Sequence, residues 1–429
     1  MKRYESYKPS GISWIGEIPS HWEKMRIKHT GIARNGLTYS PFDLCNKEDN
    51  GTLVLRSSNI QRGDICLEDC VYVKSTISPD LKVNAGDIII CSRNGSRDLV
   101  GKLALIPENL DASFGAFMLI YRRKEKYKSK YFVFMLPIAI QAYKALFTTS
   151  TINQLTQSEF ANFQIPIPPL DEQKKIVEYL STKTSLIDAQ QSAREKEIRL
   201  LEELKQAEIA NVVTRGLNPD VPKKDSGIPW VGQIPSHWNV KRLGAFFNNN
   251  ISSNSEYKFD KAYKFNYGTI VPKNEIGDVS DLKETYLKYS ILKKNDIIIN
   301  GLNLNYDFVS QRVAISPADC IITSAYIVLR PVSNTYSLYF LQLFKAMDSQ
   351  KLFHGMGTGI RLTLSFNELK SQMLPIPPIE EQRAIVEYIE QKNTVIDDMI
   401  ANLRAEIDFL TEYKQRMIAD AVTGQIKID

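Results

Sequence analysis

The chain has 429 residues, 43% hydrophobic and 24% charged, a composition that excludes disordered and fibrous classes. Its length allows two or three domains, each with its own core. The 54 basic and 49 acidic residues leave a net charge of +5, compatible with nucleic acid but too small to argue for it alone.

The first residues, MKRYESYKPSG, contain no apolar stretch of the kind a secretory signal needs. The longest apolar run, Phe132 to Ile140, is too short to span a bilayer and carries Pro137. A cytoplasmic protein with no membrane partner is expected. Cys45, Cys66, Cys70, Cys91 and Cys320 are odd in number and do not suggest a disulfide framework. Cys66 and Cys70 lack a second ligand pair, so no metal is expected and the thiols read as small apolar side chains.

In chain order, Gly11-Ile-Ser-Trp-Ile-Gly-Glu-Ile-Pro-Ser-His-Trp22 is the first distinctive segment, and it returns as Gly227-Ile-Pro-Trp-Val-Gly-Gln-Ile-Pro-Ser-His-Trp238. Glycine, proline and paired tryptophans predict a turn-rich segment pinned by aromatics. His21 and His237 have no acidic or cysteine partner nearby in sequence in a catalytic or metal-ligand pattern that both copies share, which favours a structural role. Residues 22–165 then alternate short β-rich runs with turn residues. Strands are expected at Thr52–Arg56, Val71–Val73, Asp87–Cys91, Leu99–Ile106 and Phe117–Tyr121. Residues 238–374 are the counterpart. Asp87-Ile-Ile-Ile aligns with Asp296-Ile-Ile-Ile, and Leu99-Val100 with Phe308-Val309, at a shift of 209. Tyr131-Phe132 and Tyr339-Phe340 each open a predicted amphipathic helix. The skeleton repeats while the connecting residues differ: Arg93-Asn-Gly-Ser-Arg97 stands where Leu302-Asn-Leu-Asn-Tyr306 stands in the second copy. Two copies of one fold with different loop chemistry suggest two readers of different ligands.

Both β-rich units end alike, in Gln164-Ile-Pro-Ile-Pro-Pro-Leu170 before Asp171-Glu-Gln and in Met373-Leu-Pro-Ile-Pro-Pro-Ile379 before Glu380-Glu-Gln. Proline enforces an extended entry, and the acidic pair suits a helix N-terminus. The predicted helices carry isoleucines eleven residues apart: Ile176, Ile187, Ile198 and Ile209, then Ile385, Ile396, Ile407 and Ile418. That spacing is three turns, so each quartet forms a nearly straight stripe about 50 Å long. Leu180, Leu201 and Leu204 flank the first stripe, and Ile389, Leu410 and Tyr413 the second. Charged opposite faces suggest that the helices pack on one another through these residues. The expected segments are residues 1–21, turn-rich; 22–165, first recognition unit; 166–216, proline entry and helix; 217–237, linker with the repeated motif; 238–374, second recognition unit; 375–424, proline entry and helix; and 425–429, a tail. The fold class is α+β, two mixed β-rich domains joined by two long antiparallel helices with an internal pseudo-twofold repeat.

Enzyme signatures fail on inspection. Gly95 to Leu103 has one residue too many between its glycines for a phosphate loop, and Leu103 where a hydroxyl should bind magnesium. Asn218-Pro219-Asp220 is not a methyltransferase motif, and neither a paired-histidine helix nor Gly-x-Ser-x-Gly occurs. No catalytic residue is assigned. Polar and basic loops occur instead, of the residue types that bond base edges and phosphates. The candidates are Arg56, Ser58, Asn59, Arg62, Arg93, Asn94, Arg97, Lys102 and Asn153 in the first unit. In the second they are Asn303, Asn305, Tyr306, Arg312 and Arg361.

The twice-repeated Ile-Pro-x-Pro-Pro with Glu-Gln after it (Ile165 to Gln173; Leu374 to Gln382), the Ile-Val continuations at Ile176 and Ile385, and the Trp22 and Trp238 starts resemble the specificity subunits of type I restriction-modification systems. The resemblance covers nearly the whole chain. It implies a non-catalytic DNA-binding subunit whose two target-recognition domains read a split target in double-stranded DNA. It also implies partners: two modification subunits carrying an S-adenosylmethionine-dependent adenine methyltransferase, and two ATP-driven restriction subunits in the full complex. S-adenosylmethionine, ATP and Mg2+ would then reside in partners, with no cofactor on this chain. A cryptic methyltransferase or nuclease and a coiled-coil scaffold are the alternatives.

Overall fold

The computed structural model describes residues 2–429 apart from 75, 109, 147–153, 251, 274–278, 360 and 361. Packing groups the chain into two compact units, Met1–Ala193 with Ala405–Asp429, and Arg194–Arg404. The first unit is therefore discontinuous in sequence.

The apolar runs of each unit form a four-stranded antiparallel sheet. In the first unit its order is Leu103–Leu105, Ile88–Cys91, Met118–Arg123 and Gly31–Asn35. In the second it is Val313–Ile315, Ile297–Ile299, Ile327–Pro331 and Phe247–Asn249, the same order by position in the repeat. The central Ile-Ile-Ile strand is buried on both faces in each unit, as its unbroken apolar run requires. The carboxylates preceding those strands have equivalent jobs. Asp87 accepts from Arg122 Nη2 at 2.7 Å and from the Asn84 backbone at 2.9 Å; Asp296 accepts from Arg330 Nη2 at 2.7 Å and from the Lys293 backbone at 2.8 Å. The ion pair beside it raises the Arg122 guanidinium above its ordinary value, against the opposing effect of burial.

The companion sheets differ. The first unit adds Ala112–Phe114, Thr52–Leu55, Tyr72–Val73 and Leu44–Cys45, with the first two parallel. The second adds the hairpin Tyr263–Asn266 with Thr269–Pro272 and the pair Ser290–Leu292 with Cys320–Ile322. The expected strand Leu99–Ile106 is shorter than predicted. Arg97–Leu99 is a 3-10 turn, Gly101 takes a left-handed φ of 88°, and pairing begins only at Leu103. Phe308 and Val309 likewise lie outside any strand. Their alignment with Leu99-Val100 thus relates two turn segments rather than two strands.

The repeated motifs clasp the ends of the long helices, Leu170–Arg215 and Ile379–Val422. The proline segments pair as strands, Gln164–Ile167 with Glu23–Arg26 and Met373–Ile376 with Asn239–Arg242. Gln173 and Gln382, both buried, donate to the carbonyls of Pro168 and Pro377 at 2.9 and 3.0 Å, fixing the turn into each helix. Glu172 accepts from Trp22 Nε1 at 2.9 Å and lies 2.5 Å from His21 Nε2; Glu381 repeats this with Trp238 at 3.0 Å and His237 at 2.8 Å. The histidines do have acidic partners, from a helix about 150 residues away. The buried Tyr131 hydroxyl donates to Pro166 O at 2.9 Å and reaches Val422 O at 3.3 Å, while Tyr339 bridges Pro375 O and Val213 O at 3.0 Å. Each unit thus holds the start of one long helix and the end of the other.

Within each unit the helices run antiparallel. In the first, Lys414 pairs with Asp188 at 2.5 Å and Gln191 Nε2 donates to Thr411 Oγ1 at 2.7 Å. In the second, Lys205 pairs with Asp397 at 2.7 Å, and Tyr388 donates to Glu208 at 2.6 Å. Ile176, Ile187, Ile209, Ile385 and Ile396 are buried, whereas Ile198, Leu201, Ile407, Leu410 and Ile418 are half-buried. Ile176 and Ile187 belong to the first core and Ile209 and Ile385 to the second, with Leu410 and Ile418 packed against the first from its margin. Leu204 and Tyr413, expected to line the stripe, are 54% and 44% exposed.

Candidate nucleic-acid interface

In the first unit four loop segments end at one edge of the sheets: those after Gly31–Asn35, Thr52–Leu55 and Ile88–Cys91, and the one entering Met118–Arg123. The antiparallel registers Cys91 with Met118 and Asn35 with Leu119, and the parallel register Phe114 with Leu55, bring these ends together. Gly36 permits the closeness, because a Cβ there would run into the carbonyls of Phe114 and Gly115. The segments enclose a cleft of about 1000 Å³ lined by Leu37, Tyr39, Arg56, Ser58, Arg93, Asn94 and Phe117, among others. Asn94 Nδ2 donates to Ser57 Oγ at 3.2 Å and joins two of the loops. Arg56 is paired with Asp69 at 2.8 Å, and the Arg93 guanidinium lies 5.3 Å from the ring centre of the exposed Phe117.

Four of the sequence candidates, Arg56, Ser58, Arg93 and Asn94, therefore share one concave site. Arg62 is exposed at a hairpin tip with a φ of 51°, and Arg97 is exposed in its 3-10 turn. Lys102 is half-buried and does not line the cleft. Asn59 requires correction. It is 0% exposed and donates to the carbonyls of Cys66 and Asp69 at 3.0 and 2.8 Å, while its Oδ1 accepts from the Arg56 backbone at 2.8 Å. It is a brace for the loop, with no surface left for a base. Asn153 lies outside the described residues.

In the second unit Asn303 and Tyr306 are exposed, Tyr306 at 78%. Asn305 is half-buried. Arg312 is the second correction. It is 1% exposed, and its guanidinium donates to the carbonyls of Asp307, Leu302 and Asn300 at 2.7, 2.8 and 3.1 Å. It shapes the loop from inside. Asp307 is held down to about 2, chiefly by hydrogen bonds from Ser310, then Val309, with Arg312 nearby. Arg361 lies outside the described residues.

Composition reasoning favoured polar residues and so missed the apolar ones. Phe117, Tyr267, Phe308 and Val309 all project into solvent, Val309 at 90%, and Phe308 stacks on His354 with centroids 4.6 Å apart. Large apolar side chains in turns, with no periodic partner, were the available signal. Among the described residues no group of three or more His, Cys, Asp or Glu is placed to hold a metal ion, and no helix is long and apolar enough to cross a membrane.

Residues 19–200 and 235–408 match the family model for the type I restriction modification DNA specificity domain. The chain is 25% identical to the StySPI specificity subunit of Salmonella potsdam, over 96% of this chain and 90% of that one. It is 24% identical to the EcoKI specificity subunit of Escherichia coli K12 over the same shares. A solved chain from a study of complex assembly and conformational transition of the type I R-M system superposes with a TM-score of 0.68 at 16% identity, covering 95% of this chain and 99% of that one. The HsdS subunit from Thermoanaerobacter tengcongensis superposes at 0.50 with 17% identity, covering 95% and 98%.

Proposed function

The chain belongs to the type I restriction-modification DNA specificity family, and from that premise we propose that it is a non-catalytic subunit reading a bipartite DNA target for partner subunits. The reading rests above all on one observation: two units repeat the same four-stranded antiparallel sheet and helix-entry clasp but furnish the loops at the sheet edge with different chemistry. A protein that read one ligand twice would have no reason to vary those loops.

On this reading each unit reads one half-site in the major groove, where base edges are distinguishable. The first unit does so with Arg56, Ser58, Arg93 and Asn94, and the second with Asn303, Asn305 and Tyr306. Arg62, Arg97 and Lys102 neutralise phosphates and set register rather than sequence. Adenine methylation and ATP-dependent restriction are carried out by two modification and two restriction subunits, which hold S-adenosylmethionine, ATP and Mg2+. The long helices set the spacer between half-sites, and their outward residues dock the modification subunits. The complex works in the cytoplasm, where the DNA is.

The test is an exchange of residues 22–165 for the corresponding domain of another family member, followed by sequencing of methylated adenines in cells carrying the partner methyltransferase. One half-site should change and the other persist. A change in both, or methyl transfer by the purified chain alone, would refute the reading.

A further inference from the structure

We propose that Arg93 reads a guanine in the half-site bound by the first unit, and that its counterpart in the repeat of the second unit, Leu302, makes no equivalent contact. The inference rests on the chain being a reader of split DNA targets. It goes further by naming one base type and the side chain that selects it.

Arg93 is fixed at the rim of the cleft before any ligand arrives. Its backbone N–H donates to Phe117 O at 3.1 Å, as that of Ser92 does at 2.9 Å, and its backbone bridges to Gln154. Its guanidinium rests on the Phe117 ring. Stacking restrains a guanidinium while leaving the N–H donors around its edge available. Among the described residues no carboxylate pairs with it, although Arg34, Arg56 and Arg122 are each paired with an aspartate. Guanine alone offers two adjacent acceptors, O6 and N7, in the major groove, and the arginine fork matches them. The position also favours a base over a phosphate: Arg93 lines a concave site with apolar walls, Leu37, Phe117 and Met118, whereas Arg62 and Arg97 do not line it.

In the second unit the repeat places Leu302 where Arg93 stands, and residues 302–311 contain no lysine or arginine. The nearest cation in sequence, Arg312, is spent on loop carbonyls. The exposed residues there are Asn303, Tyr306, Phe308, Val309 and Gln311, beside an ionised Asp307. An amide suits adenine and an apolar side chain suits the thymine methyl, but nothing in this set supplies a cationic fork.

The test uses the full chain with its partner methyltransferase. Sequencing of methylated adenines defines the wild-type motif and the motif of Arg93→Ala. One G·C pair in one half should become degenerate, with the other half unchanged as an internal control for folding. A duplex carrying 7-deazaguanine at that position should bind wild type about 5- to 150-fold more weakly and Arg93→Ala no differently. Arg93→Lys keeps the charge and donors without the rigid fork, so its preference for guanine should fall between those of wild type and Arg93→Ala. An unchanged motif with uniformly weaker binding would make Arg93 a phosphate contact and overturn the proposal, as would degeneracy at an A·T pair. A wild-type complex with no bipartite motif would sink the parent reading as well, so the two failures are distinguishable.

Discussion

Arg312→Met separates the polar residue that shapes a loop from one that faces a ligand. The buried guanidinium gives three well-formed hydrogen bonds to carbonyls spread over residues 300–307, and a fourth contact to Asn303 O at 3.5 Å is too long to count for much. Hydrogen bonds from a charged donor contribute about 1.5–3 kcal/mol each, so the gross loss is about 5–9 kcal/mol. The loop is at the surface and can open to let water reach those carbonyls, which caps the loss at the free energy of local opening. Methionine also keeps most of the buried volume. The net destabilisation of the second unit should be about 3–5 kcal/mol, the range for breaking a buried charged network. Urea denaturation followed by tryptophan fluorescence gives the global value. Hydrogen exchange of residues 300–311 should accelerate, while that of Ile88–Cys91 in the first unit stays as it was. Equal protection of 300–311 in variant and wild type would show that the guanidinium does not hold the loop.

The same reasoning yields three comparisons. Ile187→Asp places an unpaired charge in a core and should cost about 3–5 kcal/mol, while Ile198→Asp at the half-buried middle of the stripe should cost far less; equal shifts in melting temperature would refute the graded seam. Arg330→Met leaves Asp296 buried without its partner, costing about 3 kcal/mol, and adding Asp296→Asn should recover part of it; a thermal-denaturation cycle with no coupling would remove the ion pair from the account. Glu172 is raised by burial, but hydrogen bonds from Trp22, His21 and Tyr4 outweigh this and leave it below its ordinary value of 4.5. A depressed folded value means that this stabilisation is complete above pH 4.5 and lost as pH falls through the folded value. Glu172→Gln should flatten that acid limb in urea melts at stepped pH, and an identical limb in both proteins would count against the clasp.

The duplicated architecture was legible because it rests on local signals: unbroken isoleucine runs for the central strands, prolines for the extended entries, eleven-residue spacing for the helices. The site was less legible. Its walls come from segments 36–39, 56–58, 93–95 and 115–118, which meet only through strand register. Residue type could not tell Arg312, which faces inward, from Arg93, which faces the cleft. Asn59 was misread for the same reason, since an amide that bonds backbone and one that could bond a base look alike in sequence. His21 and His237 seemed partnerless because their carboxylates, Glu172 and Glu381, lie 151 and 144 residues away.

The divided make-up of the first unit bears on how the chain is made. Met417, Ala421, Val422 and Ile426 belong to its core, together with Trp22, Tyr131 and Ile176. Lys427 donates its backbone N–H to Lys2 O at 2.9 Å. During synthesis the ribosome therefore delivers the whole second unit before the segment that completes the first. Of the two units, the one that starts to emerge earlier is the one finished later, and until then it exposes an apolar seat for residues 405–429. A frameshift or early stop beyond Arg404 should consequently spare the second unit and cripple the first, so that damage downstream of one unit appears in the unit encoded upstream of it.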